Sequence, residues 1–172
     1  VGKLVFRSAA KFGLMGYYNK DIGISPFERF QLGGDGITNF NFYGTDIIAL
    51  RGYEIFNVAS GFSTARTEPI FTKYTLELRY PISLNPSATI SAHAFAEAGN
   101  LWSSFNEFNP FDVKRSVGVG LRAWLPMFGL LGLDYGIRFD EKLPGELVPS
   151  TGVFNYIVNN GKFTVVLGFE PE

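Results

Sequence analysis

The feature that most constrains this chain is strict alternation of apolar and polar residues over long runs. From Lys73 to Tyr80, the residues Tyr74, Leu76, Leu78 and Tyr80 alternate with Lys73, Thr75, Glu77 and Arg79. From Lys3 to Leu14, Leu4, Phe6, Phe12 and Leu14 oppose Lys3, Arg7 and Lys11. The same period of two recurs from Ala88 to Glu97, Ser116 to Leu125, Leu131 to Phe139 and Gly161 to Phe169. Successive side chains on a strand point to opposite faces, so each run has one apolar face and one charged or glycine-rich face. Strands of soluble domains average about 5–6 residues. Several runs here reach about 9–12, enough to cross a bilayer at a tilt of about 45°.

The expected fold is therefore all-β, with the charged face lining a wet lumen and the apolar face meeting lipid. Composition agrees: aromatic residues make up 16%, charged residues 18%, and there are 20 glycines. That is the profile of a membrane barrel. On composition alone, a soluble β-sandwich or lipocalin-like barrel stays open. Tyr74, Tyr80, Trp102, Trp124 and Phe139 fall near strand ends, where aromatic girdles sit. The most apolar stretch, Ala123 to Leu133, is interrupted by Pro126, Gly129 and Gly132, so no spanning helix is expected. The start, Val1-Gly2-Lys3-Leu4, lacks a signal-peptide pattern and reads as the inside of a strand, as in a piece of a longer polypeptide.

About six strands are too few to close a membrane barrel, since single-chain barrels have about eight or more. The connections alternate in length. Ser83-Leu84-Asn85-Pro86 and Pro126-Met127-Phe128-Gly129 read as tight turns, while Phe105 to Phe111 and Asp140 to Asn160 read as longer loops. The longest connection, residues 19–70, carries Gly33-Gly34-Asp35-Gly36 and loses alternation after Phe30. Its apolar content argues against disorder and for a segment that folds back on the sheet.

Chemistry is sparse. The net charge of −1 argues against a nucleic-acid partner. There is no cysteine, so no thiolate or disulfide framework, and His93 is the single histidine, which argues against a transition-metal site. Glu97 and Asp134 could be paired for hydrolysis; on luminal strands they read instead as partners for Arg122 or Arg138. Asp35 and Asp46 lack a calcium-loop spacing, and no Lys-Ser/Thr follows the glycines at Gly33–Gly36. No cofactor, no metal and no enzymatic activity are expected.

The long loop carries the specific signal. Pro26-Phe27-Glu28-Arg29-Phe30-Gln31-Leu32-Gly33-Gly34 is followed by Leu50-Arg51-Gly52-Tyr53. Together these resemble the sixth extracellular loop of the BamA/TamA superfamily of outer-membrane assembly factors. Thr75–Pro81 resembles that family's twelfth strand and Phe95–Trp102 its thirteenth, with Glu97 where Asp is common. Arg115 through Pro126 resembles the fourteenth, and Gly161–Phe169 the last. The resemblance covers nearly all of residues 1–172. It implies strands eleven to sixteen of a sixteen-stranded transmembrane antiparallel β-barrel, with earlier strands and periplasmic domains lying before Val1.

It also implies a function: the membrane domain of an insertase that folds other β-barrels into the outer membrane of a Gram-negative envelope. The implied partners are nascent outer-membrane β-barrel proteins, accessory lipoproteins and outer-membrane lipid. The implied seam strand includes Gly161, Phe163, Val165, Leu167, Gly168 and Phe169, opening as a lateral gate. A protein-translocating or secretion pore of the same superfamily is the alternative. For the loop, two readings stand. Arg51 is either a solvated loop arginine, or it folds inward with Gly52 and Tyr53 to pair with Glu77 and Glu97. An arginine fork suits bidentate carboxylate pairing, and both glutamates fall on the luminal face by alternation.

Overall fold

The computed structural model describes residues 4–19, 21, 23–25, 28–34, 45–53, 67–85, 87–126, 129–140 and 153–167. The elements run β1 (Val5–Leu14), β2 (Phe30–Leu32), β3 (Asp46–Ile48), β4 (Thr67–Glu68), β5 (Ile70–Asn85), β6 (Ala88–Trp102), β7 (Lys114–Leu125), β8 (Gly129–Arg138), α1 (Val153–Asn160) and β9 (Gly161–Leu167). The alternating runs all become strands of one antiparallel sheet in the order β1-β5-β6-β7-β8-β9. The sheet is open, an arc of barrel wall rather than a closed barrel. No helix among the described residues is long and apolar enough to cross a membrane.

The pairing is continuous, and its register lines up four rows of side chains on the inner face. One row is Thr75, Glu97, Ser116 and Arg138; the next is Glu77, Phe95, Gly118, Gly136 and Lys162. Then come Arg79, His93, Gly120, Asp134 and Thr164, followed by Ser91, Arg122, Gly132 and Val166. The outer face carries the leucines, valines and aromatics, with the alanines of β6 as a small-residue stripe between Leu76 and Leu78 on one side and Val117 and Val119 on the other.

Three local expectations are corrected. Ser83-Leu84-Asn85 is not a turn: β5 continues through it, and the reversal sits beyond Asn85, whose side chain accepts from Ser87 N–H at 3.1 Å. The strand survives because a register shift between Pro81 and Ser83 absorbs Pro81, which has no N–H for the ladder. The segment from Asp140 to Asn160 is not all loop. It ends in α1, tied to β8 by Tyr135 hydroxyl donating to Ile157 O (2.8 Å) and Tyr156 hydroxyl donating to Arg138 O (3.3 Å). Trp102 is not on the lipid-facing belt; it is buried, edge-on to Phe108 at 4.9 Å.

The long connection does fold back. Its short strands form a second sheet, β3-β2-β4, with β2 and β3 parallel. Phe30 packs edge-on to Phe71 at 4.6 Å. Leu32 lies over Gly99, where an added Cβ would sit only 2.8 Å from Thr72 O. The loop is thus seated against the inner face of β5 and β6.

Candidate functional site

Leu50-Arg51-Gly52-Tyr53 closes a β-turn, Tyr53 N–H donating to Leu50 O at 3.1 Å. Gly52 has φ +92°, a conformation that L side chains rarely adopt. The two glycines at 33 and 34, also at positive φ, lie directly behind this turn. Gly33 N–H donates to Ile48 O (3.0 Å) and Gly34 N–H to Tyr53 O (2.9 Å). Two motifs separated in sequence are therefore one structural unit: the paired glycines brace the turn that presents Arg51.

The turn sits inside the sheet. Gly52 meets Gly136 of β8 backbone to backbone; a Cβ on Gly136 would lie 2.8 Å from Gly52 N, and one on Gly52 3.1 Å from the Gly136 carbonyl carbon. Arg51 is 3% exposed and lies across the centre of the inner face. Its backbone N–H donates to Glu97 Oε2 (2.8 Å), and Nε and Nη2 donate to Glu97 Oε1 (3.1 and 2.8 Å). Nη2 also donates to Glu77 Oε1 (2.7 Å) and Nη1 to Asp134 Oδ2 (3.3 Å). The guanidinium carbon stands 3.7 Å from the centroid of the Phe95 ring, a cation–π geometry. The Phe95 ring in turn fills the space that the missing side chain of Gly118 leaves.

Each carboxylate has a further cation. Asp134 accepts from Arg122 Nη1 and Nη2 at 2.5 and 2.6 Å, with His93 Nε2 at 3.0 Å. Glu77 accepts from Arg79 Nε and Nη2 at 2.9 and 2.6 Å, and Lys73 Nζ is 3.3 Å from Glu97. A buried charge is tolerated only when paired and hydrogen-bonded, and here every carboxylate is. None is left free to act as a base, and no group of acids and histidine among the described residues could hold a metal ion. What this arrangement does is fix a loop to a wall.

Tyr53 extends the attachment to the rim. Its hydroxyl donates to Arg115 O (2.9 Å) and accepts from Asp140 N–H (3.4 Å). The Arg115 side chain donates to Asp140 Oδ1 at 2.6 Å; this hydrogen bond, reinforced by one from the Arg115 backbone, holds the Asp140 carboxyl below the usual carboxylate range despite some desolvation.

Of the residues singled out from sequence, the structure brings together Arg51, Gly52, Tyr53, Gly33, Gly34, Glu77 and Glu97. Pro26 and Phe27 lie outside the described residues, as do Asp35, Gly168 and Phe169. Phe163, Val165 and Leu167 point outward from β9, and Gly161 makes room for the Tyr135 ring, which stacks at a tilt on Phe163 with centroids 4.6 Å apart. Sequence reasoning offered Arg122 or Arg138 as partners for Glu97 and Asp134; the structure gives Asp134 to Arg122 and Arg51, gives Glu97 to Arg51 and Lys73, and among the described residues pairs Arg138 with neither. Sequence reasoning also missed the Phe95 platform and the Gly52–Gly136 contact. The available signal was the run of glycines at inner-face positions 118, 120, 132 and 136, which marks where other groups approach closely.

A family model described as the Omp85 superfamily domain matches residues 2–166. No curated protein and no solved structure matches the chain.

Proposed function

The chain belongs to the Omp85 superfamily, and from that premise we propose that it is the membrane part of an insertase that folds other β-barrels into the bacterial outer membrane. The observation that supports this reading is the contrast between a wall locked from inside and a last strand, β9, that takes no part in the Arg51 network. Strands β5 to β8 each have hydrogen-bonded neighbours on both sides, and the Arg51 network ties β5, β6 and β8 together. Among the described residues β9 pairs with β8 through the seven residues Gly161–Leu167, and none of them hydrogen-bonds with Arg51. A last strand released from its seam would be a template for strand addition. A nascent barrel strand adding there would need no nucleotide, metal or catalytic residue, so the activity is non-enzymatic. Accessory lipoproteins would act through parts of the assembly outside this sheet.

A protein-translocating pore would use the same wall with a lumen that opens rather than an edge that accepts. Proteoliposomes carrying the protein separate the two. The insertase reading expects a reporter β-barrel to acquire heat-resistant gel mobility faster than in empty liposomes. No acceleration, together with a steady ion conductance across planar bilayers, would favour the pore.

A further inference from the structure

One buried cation has no part in the network just described. Arg138, the last residue of β8 and on its inner face, is 8% exposed, yet among the described residues its side chain donates no hydrogen bond and forms no ion pair. Its Nε is buried without a partner. Directly across the β7–β8 ladder stands Ser116, 1% exposed, and its Oγ is also buried without a partner. Residues paired in this way hold their Cβ atoms about 4.5–5.5 Å apart on one face. Two orphaned polar groups therefore converge on one inner-face position.

Among the described residues, nothing in the sheet is available to compensate Arg138. Glu97, in the same row, is taken by Arg51 and Lys73. Asp134, two rows away on the same strand, is taken by Arg122, with Arg51 and His93 alongside. Glu77 is taken by Arg51 and Arg79. These are the only carboxylates on the inner face among the described strands, whereas Arg7 and Lys162 add further positive charge to it. A water molecule could satisfy Nε or the hydroxyl but would leave a largely buried guanidinium without a counter-charge, which is unfavourable. A planar guanidinium fork beside a hydroxyl donor suits a tetrahedral or planar oxyanion.

We propose that Arg138 and Ser116 form a luminal binding site for a small oxyanion of the phosphate class. Helix α1 covers this end of β8 through Tyr156, and Tyr53 fixes the neighbouring backbone of Arg115, so the site lies where the anchored loop, α1 and the wall meet.

The test is thermal unfolding of the protein in detergent micelles, titrated with inorganic phosphate against chloride at constant ionic strength. Wild type is expected to show a saturable rise of about 2–4 °C in phosphate. Arg138→Gln should abolish that rise and, in chloride, melt no lower than wild type, because it removes an uncompensated charge. Ser116→Ala should keep the rise but move half-saturation upward about 3–10-fold, as loss of one hydrogen bond would. An equal response to phosphate and chloride would overturn the site, as would a phosphate response that survives Arg138→Gln. So would a clear loss of stability in Arg138→Gln in chloride. That result would mean that a carboxylate from another polypeptide segment already occupies the position.

Discussion

The two faces of the six-stranded sheet are built from residues adjacent in sequence, yet they reverse the usual order of a protein. On the inner face Asp134 is 0% exposed and Arg51 and Glu97 are each 3% exposed; on the outer face Val119 is 60% and Phe163 66% exposed. In water the apolar face would be the one to bury. Here ions are buried and hydrocarbon is displayed, which is stable only if the outer surroundings are themselves hydrocarbon. The inner face teaches a second lesson. Charges can fill an interior when they arrive in compensating sets, and this set is completed by a loop, not by the wall itself.

The sharpest way to break the inner face is Arg51→Ala. It leaves Glu77, Glu97 and Asp134 short of a shared cation, and breaking a buried pair costs about 3–5 kcal/mol. Limited proteolysis should then cut within residues 19–69 far faster than in wild type. An unchanged cleavage pattern would mean that the loop is held by its apolar contacts, Phe30 on Phe71 and Leu32 over Gly99.

The outer face is tested by Val119→Arg. An arginine at mid-membrane depth on the lipid face of a barrel destabilises by about 2–4 kcal/mol. Folding yield into liposomes, followed by gel mobility, should fall accordingly. If the variant folds as well as wild type, that surface does not meet hydrocarbon and the contrast between the faces loses its explanation.

Gly136→Ala probes the contact of turn and wall without touching a charge. The new Cβ would sit 2.8 Å from Gly52 N, so the turn must shift, at about 1–3 kcal/mol of overpacking. The melting temperature should fall, and protease sensitivity of the loop should rise by less than in Arg51→Ala. A silent substitution would show that the turn docks more loosely than its geometry indicates.

The smallest effects separate the two glutamates. Glu97 takes three hydrogen bonds from Arg51, whereas Glu77 takes one from Arg51 and two from Arg79. Each Gln variant keeps the shape and removes the charge, with an expected loss of about 1–3 kcal/mol. Glu97→Gln should loosen the loop more than Glu77→Gln in hydrogen exchange of the Arg51 amide. The reverse order would assign the anchoring role to Glu77.

Much of the fold was legible because alternation is a local property. Leu76 and Glu77 face opposite ways in any strand, so the two faces, the strand count and the inward direction of Glu77 and Glu97 follow from order alone. The ends were less legible. Asn85 looked like a turn residue but is still in β5, since the bulge at Pro81 and the pairing of β6 extend the ladder past it. Residues 153–160 carry no clear signal for a helix; α1 is held by the hydroxyls of Tyr135 and Tyr156, one on the strand that it covers.

For the loop, the sequence by itself determined the ingredients: an arginine between flexible residues, two inner-face glutamates, and a paired glycine upstream. Tertiary structure alone decided that they meet. It placed the Arg51 guanidinium on Phe95, added Asp134 as a third carboxylate, seated Gly52 on Gly136, and, among the described residues, left Arg138 Nε and the Ser116 hydroxyl without hydrogen-bond partners. The physical reason is range. Strand periodicity is fixed by each residue and its neighbours, whereas the pairing of a charge depends on which groups distant in the chain arrive first at the same buried place.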